Sequence, residues 1–139
     1  MKKLWNKKFF GLIIIVSWMA SCTDDNNDVT PSNSDDRDKF VGSWICNEGT
    51  GTPFTITISK LSGDEINIEN FSNYGSHGNA KCNVSGSGLS IPTQDINDLS
   101  SASVIASGTG VYSKQGSQEK ITMQYNVDSV QFNNVVCTK

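Results

Sequence analysis

The sequence predicts an all-β domain: an antiparallel, up-and-down barrel of eight strands. Three observations predict it. Beyond residue 43, apolar and polar residues alternate in run after run, the period-two signature of strands with one dry face. Beyond residue 41 no window carries the i, i+3, i+4, i+7 repeat of an amphipathic helix. Short clusters of Gly, Ser and Asp separate the runs, as hairpin connections require.

A helical turn is expected at residues 37–41, with Ser34 as its candidate cap. The first strand covers residues 44–48. In the second, Phe54, Ile56 and Ile58 alternate with Thr55, Thr57 and Ser59. Ile66 and Ile68 alternate with Glu65, Asn67 and Glu69 in the third, and Ala80, Cys82 and Val84 with Lys81 and Asn83 in the fourth. Leu89 and Ile91 mark a short fifth strand, which Pro92 is expected to stop because it cannot donate to a ladder. The sixth lies within residues 104–112, where Gly108 and Gly110 predict a bulge or tight bend. Ile121, Met123, Tyr125 and Val127 define the seventh, and residues 132–138 the eighth. Ser62-Gly63-Asp64, Ser85-Gly86-Ser87-Gly88 and Asp128-Ser129 supply turns.

The chain has 139 residues, 36% of them hydrophobic, which suits one domain. Four of its 11 basic residues (Lys2, Lys3, Lys7 and Lys8) fall in the first eight positions, leaving seven against 14 acids thereafter. A nucleic-acid grip needs a basic face and is excluded. After the lysines comes an apolar run of ten, residues 9–18, half the length of a membrane-spanning helix and typical of a signal-peptide core. Met19-Ala20-Ser21-Cys22 follows. Together these residues resemble the lipobox signal of bacterial lipoproteins, with Met where Leu is usual. The resemblance implies removal of residues 1–21 and a diacylglycerol on the Cys22 sulfur. The alternatives are an ordinary cleaved signal with Cys22 a bystander, or an uncleaved anchor. One acyl chain holds a protein only marginally, whereas two or three hold it durably.

Residues 22–38 then read as a lipidated, disordered tether, since residues 23–38 hold six aspartates and one strongly apolar residue, Val29. Thr23, rather than aspartate, follows the anchor, so the resemblance implies delivery to the outer membrane of a Gram-negative bacterium. Asp24-Asp25-Asn26-Asn27-Asp28 resembles the acidic export signal of surface lipoproteins and implies display on the cell surface; its plainer reading is a solubilising linker.

The folded domain is placed at residues 39–139. Its opening, Asp38-Lys39-Phe40-Val41-Gly42-Ser43-Trp44, resembles the Gly-x-Trp signature of lipocalins and other calycins. That resemblance implies a calycin-like barrel with Trp44 plugging one end, although the later lipocalin motifs are not evident and the domain is shorter than a typical lipocalin. The alternative is an immunoglobulin-like sandwich, which wants a tryptophan between two bridged cysteines; Trp44 precedes every candidate.

With Cys22 lipidated, Cys46, Cys82 and Cys137 remain, all on inward parity. First and last strands are neighbours in a closed meander, so Cys46 and Cys137 are the candidate disulfide; another pairing with Cys82, or three reduced, buried thiols, are the alternatives. Catalysis, a metal and a cofactor are not expected. His77, the sole histidine, sits in a loop apart from the inward Cys82, and the carboxylates at Asp64, Glu65 and Glu69 read as solvated edge charges. An eight-stranded barrel can be filled or hold one small ligand. Candidate ligand-lining residues are Phe54, Ile56, Ile58, Met123 and Tyr125, with Ala80, Ala106 and Gly108 small enough to leave a hollow. Three functions follow. One is a monomeric surface lipoprotein binding a small hydrophobic ligand or a protein partner. The second is an accessory lipoprotein with a filled barrel. The third is an inhibitor projecting the loop at residues 94–103, or a minor enzyme, for which the sequence assembles no polar cluster.

Overall fold

Each strand bonds to the strand before it and the strand after it, and the last returns to the first, closing a barrel in the order β1 to β8. The structure, a computed structural model, describes residues 34–49, 51–97 and 102–139. The expected leader, Cys22 and the tether through residue 33 lie outside the described residues, as does the middle of the 94–103 loop. The strands are β1 (Gly42–Asn47), β2 (Phe54–Lys60), β3 (Glu65–Glu69), β4 (Asn79–Ser85), β5 (Gly88–Asp95), β6 (Ile105–Gln115), β7 (Gln118–Val127) and β8 (Val130–Thr138). All pairings are antiparallel. A single closed ring replaces the two sheets a sandwich would show, so the immunoglobulin-like alternative falls.

Alternation sets the register. Trp44 faces Ile56, Cys46 faces Phe54, Ile66 faces Cys82, and Val84 faces Leu89, so each ladder brings apolar side chains to the same interior. A one-residue slip would turn every one of them to water. The buried residues form one continuous core drawn from all eight strands and from Phe40, Phe71, Ile96 and Val104 outside them.

The fifth strand does not stop at Pro92. Between Ile91, which faces Gly108, and Gln94, which faces Ala106, β5 carries one residue more than β6. This bulge places the proline where a missing N–H breaks no ladder bond, and the strand resumes to Asp95. Toward β7 the irregularity expected at Gly108 and Gly110 is absent, since the β6–β7 register runs unbroken from Ala106–Val127 to Gln115–Gln118; toward β5 the register shift borders Gly108, with the extra residue in β5. These strands exceed their apolar pattern because Ser113, Lys114 and Gln115 pair with Lys120, Glu119 and Gln118, an all-polar ladder that alternation cannot reveal. A further bulge lies in β8, where Asn134 takes a left-handed φ of 57°.

The two inward glycines provide room for larger neighbours. A methyl group on Gly108 would lie 2.5 Å from Tyr125 Cβ and closer still to the Gln124 carbonyl oxygen. One on Gly110 would meet Met123 Cγ at 2.9 Å and Leu89 Cγ at 3.0 Å, ends of flexible side chains. The space that Gly108 was expected to leave is here occupied by Tyr125, and that beside Gly110 by Met123 and Leu89. Gly108→Ala should therefore cost about 1–3 kcal/mol. Gly110→Ala should cost less, because side chains can yield and alanine recovers backbone entropy of about 0.5–1 kcal/mol. Urea midpoints of the two variants, compared with the parent, check the order.

The turn before β1 caps one end. Phe40 N–H donates to Arg37 O at 2.9 Å and Asp38 N–H to Asp35 O at 2.9 Å. Its capping acceptor is the Asp35 carboxylate, which takes the Arg37 N–H at 3.0 Å; Ser34 was the expected cap. Arg37 also donates to Leu61 O at 2.7 Å, Lys60 pairs with Asp35 and Asp38 at 2.9 and 2.5 Å, and Asp36 accepts from Gly86 N–H at 2.9 Å. Composition places Asp35, Asp36, Arg37 and Asp38 in the tether, yet these bonds attach them to the β2–β3 and β4–β5 hairpins.

Candidate functional site

The interior is the first place to look, and side chains fill it. Phe54, Ile56, Ile58, Met123 and Tyr125 are all buried, none more than 8% exposed, and all belong to the continuous core. Larger hollows lie on the outside, such as an open groove of about 460 Å³ over Ile45, Pro53 and Val136 on the outer wall. None of those five residues lines it.

Trp44 sits at the capped end, fully buried. Its Nε1–H donates to Phe40 O at 2.6 Å, the Tyr112 ring meets both Phe40 and Trp44 edge-on, and Lys139 Nζ lies 4.6 Å from the Trp44 ring centroid. Lys139 also donates to Val41 O at 2.6 Å, which ties the end of β8 to the start of β1. Beside it Cys46 and Cys137, directly paired across β1 and β8, are joined by a disulfide. Cys82 is a free, buried thiol whose pKa burial pushes up to about 12. It stays protonated at neutral pH, which removes the thiolate a nucleophile needs. His77 lies on an exposed one-turn helix, Gly75–His77, whereas Cys82 is buried within β4.

The opposite rim is chemically richer. The inward parity of β1 (Trp44, Cys46) continues one step into Glu48, an acid where the pattern wants a hydrophobe. Glu48 Oε1 accepts hydrogen bonds from the Tyr125 hydroxyl and, at 3.0 Å, from Ser72 Oγ. Ser72 belongs to a single helical turn, Phe71–Asn73, that follows β3. Three residues here hold left-handed φ: Asn70 at 59°, Ser72 at 50° and Asn73 at 62°. Asparagine tolerates this well; serine tolerates it less well. The conformation is held by Asn70, whose side chain donates to Thr55 O at 2.7 Å and accepts from Gly75 N–H at 2.6 Å. It drops Phe71 onto Tyr125, ring centroids 4.6 Å apart, and Tyr125 in turn tilts against Phe132 at 5.2 Å. Burial, and then the bond to Glu48, raise the Tyr125 hydroxyl pKa, so it remains a donor.

Glu48, Ser72, Tyr74, Val127, Asp128, Val130 and Phe132 surround a hollow of about 180 Å³ at this rim. Tyr125 was singled out from the sequence, but as a polar point of an internal pocket. Glu48 and Ser72 were missed. The acid on inward parity was the available signal; nothing local marks Ser72.

Charge divides between the two ends. The ion pairs among the described residues all involve Arg37, Lys39, Lys60, Lys114 or Lys139, at or near the capped end. At the other rim stand Glu48, Glu69, Asp95 and Asp128, none in an ion pair among the described residues; the basic residues described in that half are His77, on an exposed turn, and Lys81, on the outer wall beside Asn79 and Gln94. Among the described residues no group of three His, Cys, Asp or Glu side chains is arranged to hold a metal ion. No protein-family model, no curated protein and no solved structure matches the chain.

Proposed function

We propose that the chain is a lipid-anchored lipoprotein of a bacterial envelope, held in the outer membrane through Cys22 and displayed on the cell surface. Its calycin-like barrel is a filled, non-catalytic scaffold that recognises a partner on its exterior. The allocation of sulfur carries this reading. Cys46 and Cys137 bond to each other and Cys82 is buried in the core, so the folded domain uses three of the four cysteines. The fourth follows Ala20-Ser21 at the end of a short apolar run, where lipid attachment requires it. A disulfide also suits a compartment outside the cytosol, where thiols are not kept reduced. The packed interior favours an accessory role over carriage of a small hydrophobic ligand.

Cys22→Ala in the full-length chain, expressed in a Gram-negative host fed an alkyne-bearing fatty acid, tests the anchor. The parent should incorporate the label and partition into detergent, and the variant should do neither. Unchanged labelling would overturn the proposal, and protease treatment of intact cells reports the display.

A further inference from the structure

We propose that the rim hollow between Glu48, Ser72, Tyr74, Asp128, Val130 and Phe132 is a binding site for an organic cation: an alkylammonium or guanidinium head. The inference goes beyond the lipoprotein reading and does not depend on the anchor.

Size comes first. About 180 Å³ is below the roughly 300–1,000 Å³ of pockets that enclose drug-sized molecules, and it suits a head group of a few heavy atoms. Chemistry comes next. Glu48 is half-buried, and its Oε1 is held by Tyr125 and Ser72 while Oε2 takes no hydrogen bond from the described residues. Asp128 stands at the same hollow; its Oδ1 accepts from Ile105 N–H at 2.9 Å, which fixes it as the first residue of the β7–β8 turn. Two carboxylates with no ion-pair partner among the described residues favour a cation and repel an anion.

The walls decide which cation. Tyr74 and Phe132 present aromatic rings, and Val127 and Val130 aliphatic carbon. Tyr74 is 43% and Val130 56% exposed, so apolar surface already faces water at the mouth. A calcium ion wants six to eight oxygen ligands, which such walls do not offer. An ammonium or guanidinium group gains from both the carboxylates and the aromatic faces. A neutral apolar molecule would cover Glu48 without pairing it. The division of charge adds an independent argument: the ion-paired cations among the described residues gather toward the opposite end, and neither Glu48 nor Asp128 is in an ion pair with a described residue.

Such a head can belong to a free amine or to a Lys or Arg side chain of a partner protein. The test is amide NMR of the full-length chain in micelles, titrated with choline, n-butylammonium, and short neutral-ended peptides carrying one Lys or one Arg. The carbon isostere 3,3-dimethylbutanol is the uncharged control. Saturable shifts confined to this rim are expected, with dissociation constants in about the millimolar range. Glu48→Gln should weaken binding at least about tenfold, a loss of roughly 1.4 kcal/mol. Asp128→Asn, on a different element, should weaken it several-fold and serves if the Glu48 variant fails to fold. Binding of choline or butylammonium with no binding of the peptides supports the site and assigns it to free amines, and peptides that bind more tightly than butylammonium support it and assign it to a protein partner. Binding of the peptides alone supports it and assigns it to a protein partner. Equal binding of the alcohol, no saturable shift from any probe, or wild-type affinity in both variants would overturn it.

Discussion

Trp44→Ala is expected to lower the unfolding free energy by about 3–5 kcal/mol, the range for removing a large aromatic side chain from a core. Three losses combine. The largest fully buried side chain disappears from the capped end, leaving a void bounded by Phe40 and Tyr112. The Phe40 carbonyl, deep in the structure, loses the donor that satisfies it at 2.6 Å. Lys139 loses the ring beneath its ammonium group. A domain of this size has about 5–15 kcal/mol of stability in all, so the variant should be marginal. Urea unfolding followed by far-UV circular dichroism measures it, and Trp44→Phe, which keeps part of the aromatic volume but not the N–H, should fall between. A cost below about 1 kcal/mol for the alanine variant would mean that Trp44 does not hold that end.

Cys46→Ala with Cys137→Ala should cost about 2–5 kcal/mol. The bond spans 91 residues of sequence, nearly the whole domain, so its main action is to restrict the unfolded chain. In the chain-entropy picture a loop of that size is worth roughly 4–5 kcal/mol, less any strain. Its position adds to the effect. β1 and β8 pair through only Ile45–Thr138, Cys46–Cys137 and Asn47–Val136, the shortest ladder in the ring apart from the equally short β4–β5. Urea midpoints of the oxidised protein, the reduced protein and the double variant should place the latter two together, well below the first. Coincidence of all three would show that non-covalent contacts alone hold the seam.

The architecture was legible because a barrel wall imposes strict alternation, and nearly every inward position of β2, β3, β4 and β7 obeys it. Where reading failed, a non-local partner was responsible. Pro92 looked like a stop because one strand cannot show the extra residue that accommodates it. Gly108 and Gly110 looked like a bend because their purpose, making space for Tyr125 and Met123, exists only across the β6–β7 ladder. The acidic run at residues 35–38 read as solvated tether because Arg37 and Lys60, which neutralise it, act through folded geometry; the Arg37 side chain holds the Asp35 carboxyl well below the usual carboxylate range. The rim site was the least legible part. Glu48 and Tyr125 are 77 residues apart, and only the folded ring brings them within hydrogen-bond reach.

Joining the first strand to the last also dictates a timetable. Whatever channel delivers the chain, synthesis or export, releases β1 first and β8 at the end, so the ring cannot shut until residues 136–138 have emerged. Until then the sheet is open, with two raw edges and a greasy face turned to water, and slow non-local closure prolongs that state. The nascent molecule therefore needs shielding during delivery, and sealing of the seam marks the moment when that need ends.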